Sequence, residues 1–332
     1  MEASSGGKAE IAASPEGFAL ADLLVVALGG NALLPASSSM SYEAQLERIR
    51  RTAGLLADLI QREGARLVLT HGNGPQVGLQ LLRYEHAKHI AEPYPLYVAV
   101  AETQAQIGFA LRLALEQELR KRGIEREVVP LLSLVSVKED QALSRPTKPV
   151  GPYYSDKEAE KLRAEHGWAF IEERGMYRRV VPSPEPVEVL EAPLVAELLK
   201  QDMVVVCCGG GGIPVLRRDG QLVPVEGVVD KDLASERLAS ALHAKALIML
   251  TDVRACYLNF GRRGQRALRS VSPGQLKKYY EQGHFPEGSM GPKVRAAIRF
   301  VEAGGRMAVI AHLEDLLPAA RGEAGTVVRQ GP

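Results

Sequence analysis

Residues 204–214 read VVVCCGGGGIP. The three valines and two cysteines suit a buried strand, and four consecutive glycines let the backbone come very close to whatever lies beside it. The familiar glycine-rich phosphate loops do not fit. A Walker loop, GxxxxGK[ST], needs a Lys-Ser/Thr pair that the residues after Gly209 do not supply. A dinucleotide fingerprint, GxGxxG, opens a helix, whereas here Pro214 stands at the sixth position. RRDGQ (217–221) then reads as a turn between short strands.

The same arrangement recurs along the chain. ADLLVVAL (21–28) runs into Gly29-Gly30-Asn31, ARLVLT (65–70) into HGNGP (71–75), and AKALIML (244–250) into Thr251-Asp252. Amphipathic stretches at 42–63, about 75–89, 99–122, 192–200, 231–243, 272–282 and 291–303 predict helices. EVVPLLSLVSV (127–137), MVVVCC (203–208), RMAVIA (306–311) and a segment near 325–329 complete the expected strands. This alternation predicts an α/β sandwich on a largely parallel sheet. In such sheets, turns that follow strands gather at the carboxyl edge, where ligands bind. Amides freed by glycine can converge there on an anion.

Composition narrows the class. The 332 residues suffice for one large domain or two closely packed lobes. A net charge of +1 suggests neither a basic nucleic-acid surface nor an acidic tail. No apolar run reaches the length of a membrane span. Residues 1–21 lack the pattern of a secretory signal and are expected to form a mobile tail. Three cysteines, two of them adjacent, suit reduced thiols in a cytoplasmic protein. The stretch 138–186 is rich in proline and charge, and is expected to be an insertion that packs on itself.

GGNA (29–32), THGNGPQVG (70–78), PTKPVGP (146–152), CGGGGIP (208–214), DKDLAS (230–235) and GSMGPKV (288–294) follow one another in an order that resembles the carbamate kinases of the amino acid kinase superfamily. VVPSPEP (180–186) and EAGTVV (323–328) extend the resemblance, which covers the chain from about residue 22. It implies a three-layer αβα sandwich with an eight-stranded open sheet, a protruding lid subdomain at about 138–186, and a homodimer. It also implies an acceptor lobe at 22–215 and a nucleotide lobe at 216–332. The implied reaction is reversible transfer of a phosphoryl group between ATP and carbamate, yielding ADP and carbamoyl phosphate.

Such a reaction needs in-line positioning and neutralised charge more than covalent help. Lys293, at a predicted helix start, is expected to serve the nucleotide phosphates; the plainer alternative is a solvated first-turn lysine. The resemblance sets Lys231 facing the transferring group, with Asp232 holding the lysines; the plainer alternative makes Asp230 a helix cap and leaves Lys231 solvated, and a cap does not exclude an active lysine next to it. It makes Lys148, stiffened by neighbouring prolines, a lid lysine on the acceptor side, against the alternative of a rigid surface loop. Gly29, Gly30, Asn31, Asn73, Gly74 and the run Gly209, Gly210, Gly211 and Gly212 would line the acceptor and the moving phosphoryl group. Thr251, Asp252, Val253, Tyr257, Met290 and Gly291 would meet the nucleotide. Mg²⁺ is expected with ATP, held by phosphate oxygens and water. His71 is expected to orient its turn rather than act as a base, because carbamate is already a nucleophilic anion. Arg178 and Arg179 are candidates for pairing within the lid. His86 and His89, three apart, lack a third metal ligand. Ala105, Arg254 and the pair Met176-Tyr177 depart from the resembled pattern. Two other functions share the framework: a related kinase with a different small acceptor, and a non-catalytic nucleotide- or carbamoyl-phosphate-binding regulator.

Overall fold

The computed structural model describes residues 23–33, 41–139, 141–173 and 175–331, so the expected N-terminal tail lies outside the described residues. Strand β1 (Leu23–Leu28) leads into the short helix α1 (Gly30–Leu33), followed by α2 (Tyr42–Glu63), β2 (Arg66–His71), α3 (Gly74–Ala87) and α4 (Leu96–Lys121). Ser41 caps α2 by accepting the Ala44 amide, and Gly64 ends it in the left-handed region, φ 61°. Next come β3 (Val128–Pro130), β4 (Leu134–Val137), α5 (Gln141–Ser144), β5 (Lys148–Tyr154), α6 (Asp156–His166), β6 (Ala169–Glu173), β7 (Met176–Val181) and β8 (Pro186–Val189). The chain continues with α7 (Ala192–Lys200), β9 (Val204–Val206), β10 (Ile213–Arg218), β11 (Gln221–Pro224), α8 (Lys231–Ala241) and β12 (Ala246–Thr251). It closes with β13 (Tyr257–Leu258), β14 (Arg266–Ala267), β15 (Ser270–Val271), α9 (Pro273–Glu281), α10 (Met290–Glu302), β16 (Met307–His312), α11 (Leu316–Ala320) and β17 (Thr326–Val328).

Eight strands form the main sheet in the order β15-β17-β16-β12-β1-β2-β9-β3. All neighbours are parallel except β16 and β17. Alternation along β1 divides its side chains between two cores. Val25 and Ala27 join the core that holds Leu233 and Leu238 of α8 and Val294 and Phe300 of α10. Leu24, Val26 and Leu28 join the core that holds Ile49 and Leu56 of α2 and Ile107 and Leu111 of α4. Both faces are covered, which is why the central strands are apolar throughout. Among the described residues no helix is long and apolar enough to cross a membrane.

Two local expectations need correction. The stretch 127–137 is not one strand. It divides at Leu131–Ser133, sending β3 to the edge of the main sheet and β4 into a second sheet ordered β11-β10-β4-β8. The strand before the glycines stops at Val206, because Cys208 already has a positive φ of 53°.

The 138–186 stretch carries its own three-stranded sheet, β5-β7-β6. Tyr154, Ala159 and Leu162 form its small core, with Trp168, Phe170 and Tyr177 packed on them. At its far end Glu185 accepts from Arg295 Nη1 at 2.9 Å and Arg299 Nη1 at 2.8 Å, both on α10.

Candidate active site

The turns after β1, β2 and β9 and the starts of α8 and α10 meet around a cavity of about 620 Å³ at the carboxyl edge of the main sheet. Gly29 and Gly30 line it from β1, Asn73 and Gly74 from β2, and Gly210 from the glycine run. Lys148 reaches it from β5, Lys231 and Asp232 from α8, and Met290 and Lys293 from α10. Thr251, Asp252, Val253 and Tyr257 also line it, Thr251 lying beside Gly29. Asn31 follows Gly30 within α1.

The glycine run does not point its whole length at the cavity. Gly209–Gly211 form a single 3-10 turn, after which the chain goes straight into β10. That turn answers the missing helix: Gly210, Gly211 and Gly212 all have positive φ, between 65° and 90°, which an α-helix cannot accommodate. Only Gly210 faces the cavity. A Cβ on Gly209 would sit 2.6 Å from His71 Nε2, one on Gly211 2.3 Å from the Val229 carbonyl oxygen, and one on Gly212 2.3 Å from Val135 Cγ2. All four glycines are thus closely packed against their neighbours, a Cβ on Gly210 lying 2.1 Å from Asn73 Nδ2, and Gly210 is the one of the run that lines the cavity. Gly291 is likewise set back, against Glu287 and the Pro286 carbonyl.

Charge is concentrated on one carboxylate. Asp232 Oδ1 accepts from Lys231 Nζ at 2.6 Å, and Oδ2 from Lys293 Nζ at 2.7 Å. The three side chains are 4–14% exposed. Burial opposes ionisation of Asp232, but the two lysines overcome it and hold the carboxyl well below the usual range. Burial also opposes the charge on Lys293, and Asp232 outweighs it, so that pKa lies above the ordinary lysine value. For Lys231 burial prevails and the pKa is lowered. Ser235 Oγ donates to the Lys231 carbonyl at 2.6 Å and lies 2.6 Å from Thr70 Oγ1, which ties this end of α8 to β2.

Asp230 caps α8, its Oδ1 accepting the Asp232 amide at 2.9 Å. Its Oδ2 accepts from Lys148 Nζ at 2.8 Å. Burial, reinforced by Lys231 and opposed by a bond to the Gly72 carbonyl, pushes the His71 pKa down to about 4. The ring is therefore neutral at pH 7 and packs beneath Gly209. Arg178 bonds the Gly151 carbonyl, and Arg179 stacks 3.9 Å over Trp168 while donating to Glu226 at 3.4 Å. Helix α3 stops at Ala87, between His86 and His89. Among the described residues no group of three or more His, Cys, Asp and Glu side chains could hold a metal ion. Ala105 is exposed on α4, Met176 is exposed on β7, and Arg254 pairs with Asp315, so these three departures lie outside the cavity wall.

Sequence reasoning missed the apolar end of the cavity. Phe260, His284, Phe285 and Pro286 line it, with the Phe260 ring 5.7 Å from that of Tyr257. The spacing Tyr-x-x-Phe in YLNF (257–260), just beyond a strand-end turn, was the available signal.

Comparison with known proteins agrees with this geometry. The model of the amino acid kinase family matches residues 22–312. A carbamate kinase of Thermococcus kodakarensis is 47% identical, over 92% of this chain and 99% of the relative. The solved structure of a carbamate kinase from Giardia lamblia bound to AMP-PNP is 35% identical, covering 93% of this chain and 99% of that one, with a TM-score of 0.88. A crystal structure from Aeropyrum pernix is 48% identical, covering 93% of this chain and all of the other, with a TM-score of 0.90. The chain belongs to the amino acid kinase family and, within it, to the carbamate kinases.

Proposed function

We propose that this cavity transfers a phosphoryl group reversibly between ATP and carbamate, producing ADP and carbamoyl phosphate. The observation that carries this reading is Asp232 holding Lys231 and Lys293 at 2.6 and 2.7 Å beside converging glycine turns. Two ammonium groups fixed in a half-closed, low-dielectric site can neutralise charge that spreads over the transferring group, without reorganising during the step.

Lys293, at the start of α10, serves the nucleotide phosphates, with Thr251, Asp252, Val253, Tyr257 and Met290 around the nucleoside. Phe260 and Phe285 add apolar surface suited to a purine. Lys231 faces the phosphoryl group in flight, and Lys148 approaches from the acceptor side. Gly30, Asn73, Gly74 and Gly210 offer close backbone and amide contact to the acceptor. Neutral His71 supports the turn and moves no proton.

Of the three acidic side chains on the cavity wall, Asp230 and Asp232 are already committed to lysines, and Asp252 lies in the Thr251–Val253 turn. Mg²⁺ therefore fits as a companion of the nucleotide, held by phosphate oxygens and water. When bound, it would neutralise phosphate charge. The sheet β5-β7-β6 acts as a lid, within an acceptor lobe of about 22–215 that faces a nucleotide lobe of 216–332. The exposed stripe Ala105, Phe109 and Leu113 on α4 supports a homodimer. Three buried, unbridged cysteines suit a reducing cytoplasm.

The test mixes the protein with ADP, Mg²⁺ and carbamoyl phosphate and follows ATP. Sustained ATP formation is expected. No ATP here, but ATP consumption with another small carboxylate, would replace the acceptor; binding without turnover would make the protein a sensor.

A further inference from the structure

We propose that Asp230 is a positioning residue for the transfer reaction: its carboxylate docks the ammonium of Lys148 at the cavity and so seats the β5-β7-β6 layer over the site. The inference rests on the acceptor-side role given to Lys148 above.

The two residues are 82 positions apart, yet Nζ and Oδ2 are 2.8 Å apart. Lys148 is the first residue of β5, and Asp230 immediately precedes α8. The carboxylate divides its work. Oδ1 accepts the Asp232 amide and is thereby fixed to the helix end, while Oδ2 is left for the lysine. Its position is set by α8 whatever Lys148 does.

A cap alone does not explain the charge. Ser, Thr or Asn would satisfy the same amide. A carboxylate on the wall of a cavity built for phosphates repels the substrate unless it serves another purpose. Asp230 also supports the charges of Lys231 and Lys293. Those two lysines already share Asp232, whereas among the described residues the carboxylate bonded to Lys148 is that of Asp230. Lysine has a flexible stem and three donor hydrogens. Docking one hydrogen on Asp230 restrains the stem and leaves two for an incoming anion.

The pair also ends a seam. Thr147 N–H donates to the Val181 carbonyl and Val228 N–H to the Pro182 carbonyl, both at 3.0 Å. Glu226 accepts from Arg179 of β7 at 3.4 Å and from the Leu96 amide at the start of α4 at 2.8 Å. Segment 226–230 thus runs along the base of the layer, and Lys148–Asp230 is the end that opens on the cavity.

The experiment measures ATP formation from ADP, Mg²⁺ and carbamoyl phosphate for Lys148→Met, Asp230→Asn, Asp230→Ser and the double variant Lys148→Met with Asp230→Asn. Asn and Ser keep a helix cap, so thermal midpoints should stay close to that of the parent. Asp230→Asn and Asp230→Ser should each lower kcat about tenfold, with KM for ADP held within about twofold. In the Lys148→Met background, Asp230→Asn should change kcat less than about twofold. Equal losses in both backgrounds would mean that Asp230 acts through the cap or through Lys231 and Lys293 rather than through Lys148, and would overturn the inference while leaving the role of Lys148 intact. Undiminished turnover in Asp230→Asn would do the same. Full turnover in Lys148→Met would overturn both.

Discussion

Replacing Gly210 by alanine tests how closely the glycine run is fitted to its neighbours. Gly210 has φ 65° and ψ 16°, and a Cβ there would lie 2.1 Å from Asn73 Nδ2 and 2.3 Å from its Cγ. The left-handed backbone costs an L-residue about 1–2 kcal/mol. Relieving the overlap adds about 1–3 kcal/mol. Asn73 cannot retreat freely, because its Nδ2 donates to Thr103 Oγ1 at 3.0 Å; losing that bond costs about 1 kcal/mol. The sum, about 3–6 kcal/mol, is a large part of the ~5–15 kcal/mol that holds a typical domain together. Urea unfolding should therefore show a midpoint far below that of the parent at similar slope. Well below that midpoint, ATP formation should still fall by tenfold or more, about 1.4 kcal/mol, because Asn73 is displaced from the cavity wall. Gly54→Ala, in α2, provides the contrast: nothing lies within 4 Å of its added Cβ, so about 0.5–1 kcal/mol of stabilisation is expected with turnover unchanged. A Gly210→Ala protein with parental midpoint and parental turnover would refute the packing argument.

Lys293→Ala should cut turnover by about two orders of magnitude or more, as expected for loss of a charge serving the transition state; near-normal ATP formation would remove its assigned role. His71 gives a stability term with a definite sign. Its folded pKa is depressed from 6.5 to about 4, so between these values the unfolded chain binds the extra proton. The stabilisation is complete above pH 6.5 and is lost as pH falls to about 4, amounting to about 3 kcal/mol. His71→Gln should flatten the stability curve by that amount across this window, and parallel curves would contradict it. If the proposed homodimer forms through the exposed stripe of α4, Phe109→Glu should convert it to monomer in sedimentation; an unchanged mass distribution would remove this stripe from the proposed interface.

Much of the site was legible because its parts are local. A strand end followed by glycine carries its own signature, and β1, β2 and β9 each bring such a turn to the same edge. Lys231, Asp232 and Lys293 stood in framed motifs that could be found one at a time. What could not be read were relations fixed by tertiary packing. Local propensity runs through 127–137 without a break, whereas the split into β3 and β4 follows from pairing with Val204–Val206 on one side and Ile213–Val215 on the other. The four glycines look equivalent in sequence, and only their neighbours distinguish the one that meets the cavity. Phe260 and Phe285 lie in loops, where an aromatic residue has no periodicity to declare its direction. Lys148 and Asp230 are joined by a contact across 82 positions that neither segment announces.

The grip of Glu185 on Arg295 and Arg299 has a mechanical consequence. These arginines lie two and six residues beyond Lys293 on the same helix, so the trailing root of the inserted layer is tied to the element that carries Lys293. Any tilt of β5-β7-β6 must be absorbed on the layer's side of Glu185, where Pro182 and Pro184 stiffen the link. The layer is hung like a door from a frame that includes α10. A nucleotide that shifts α10 would therefore move the hinge post itself, giving the two ends of the cavity a shared mechanical reference.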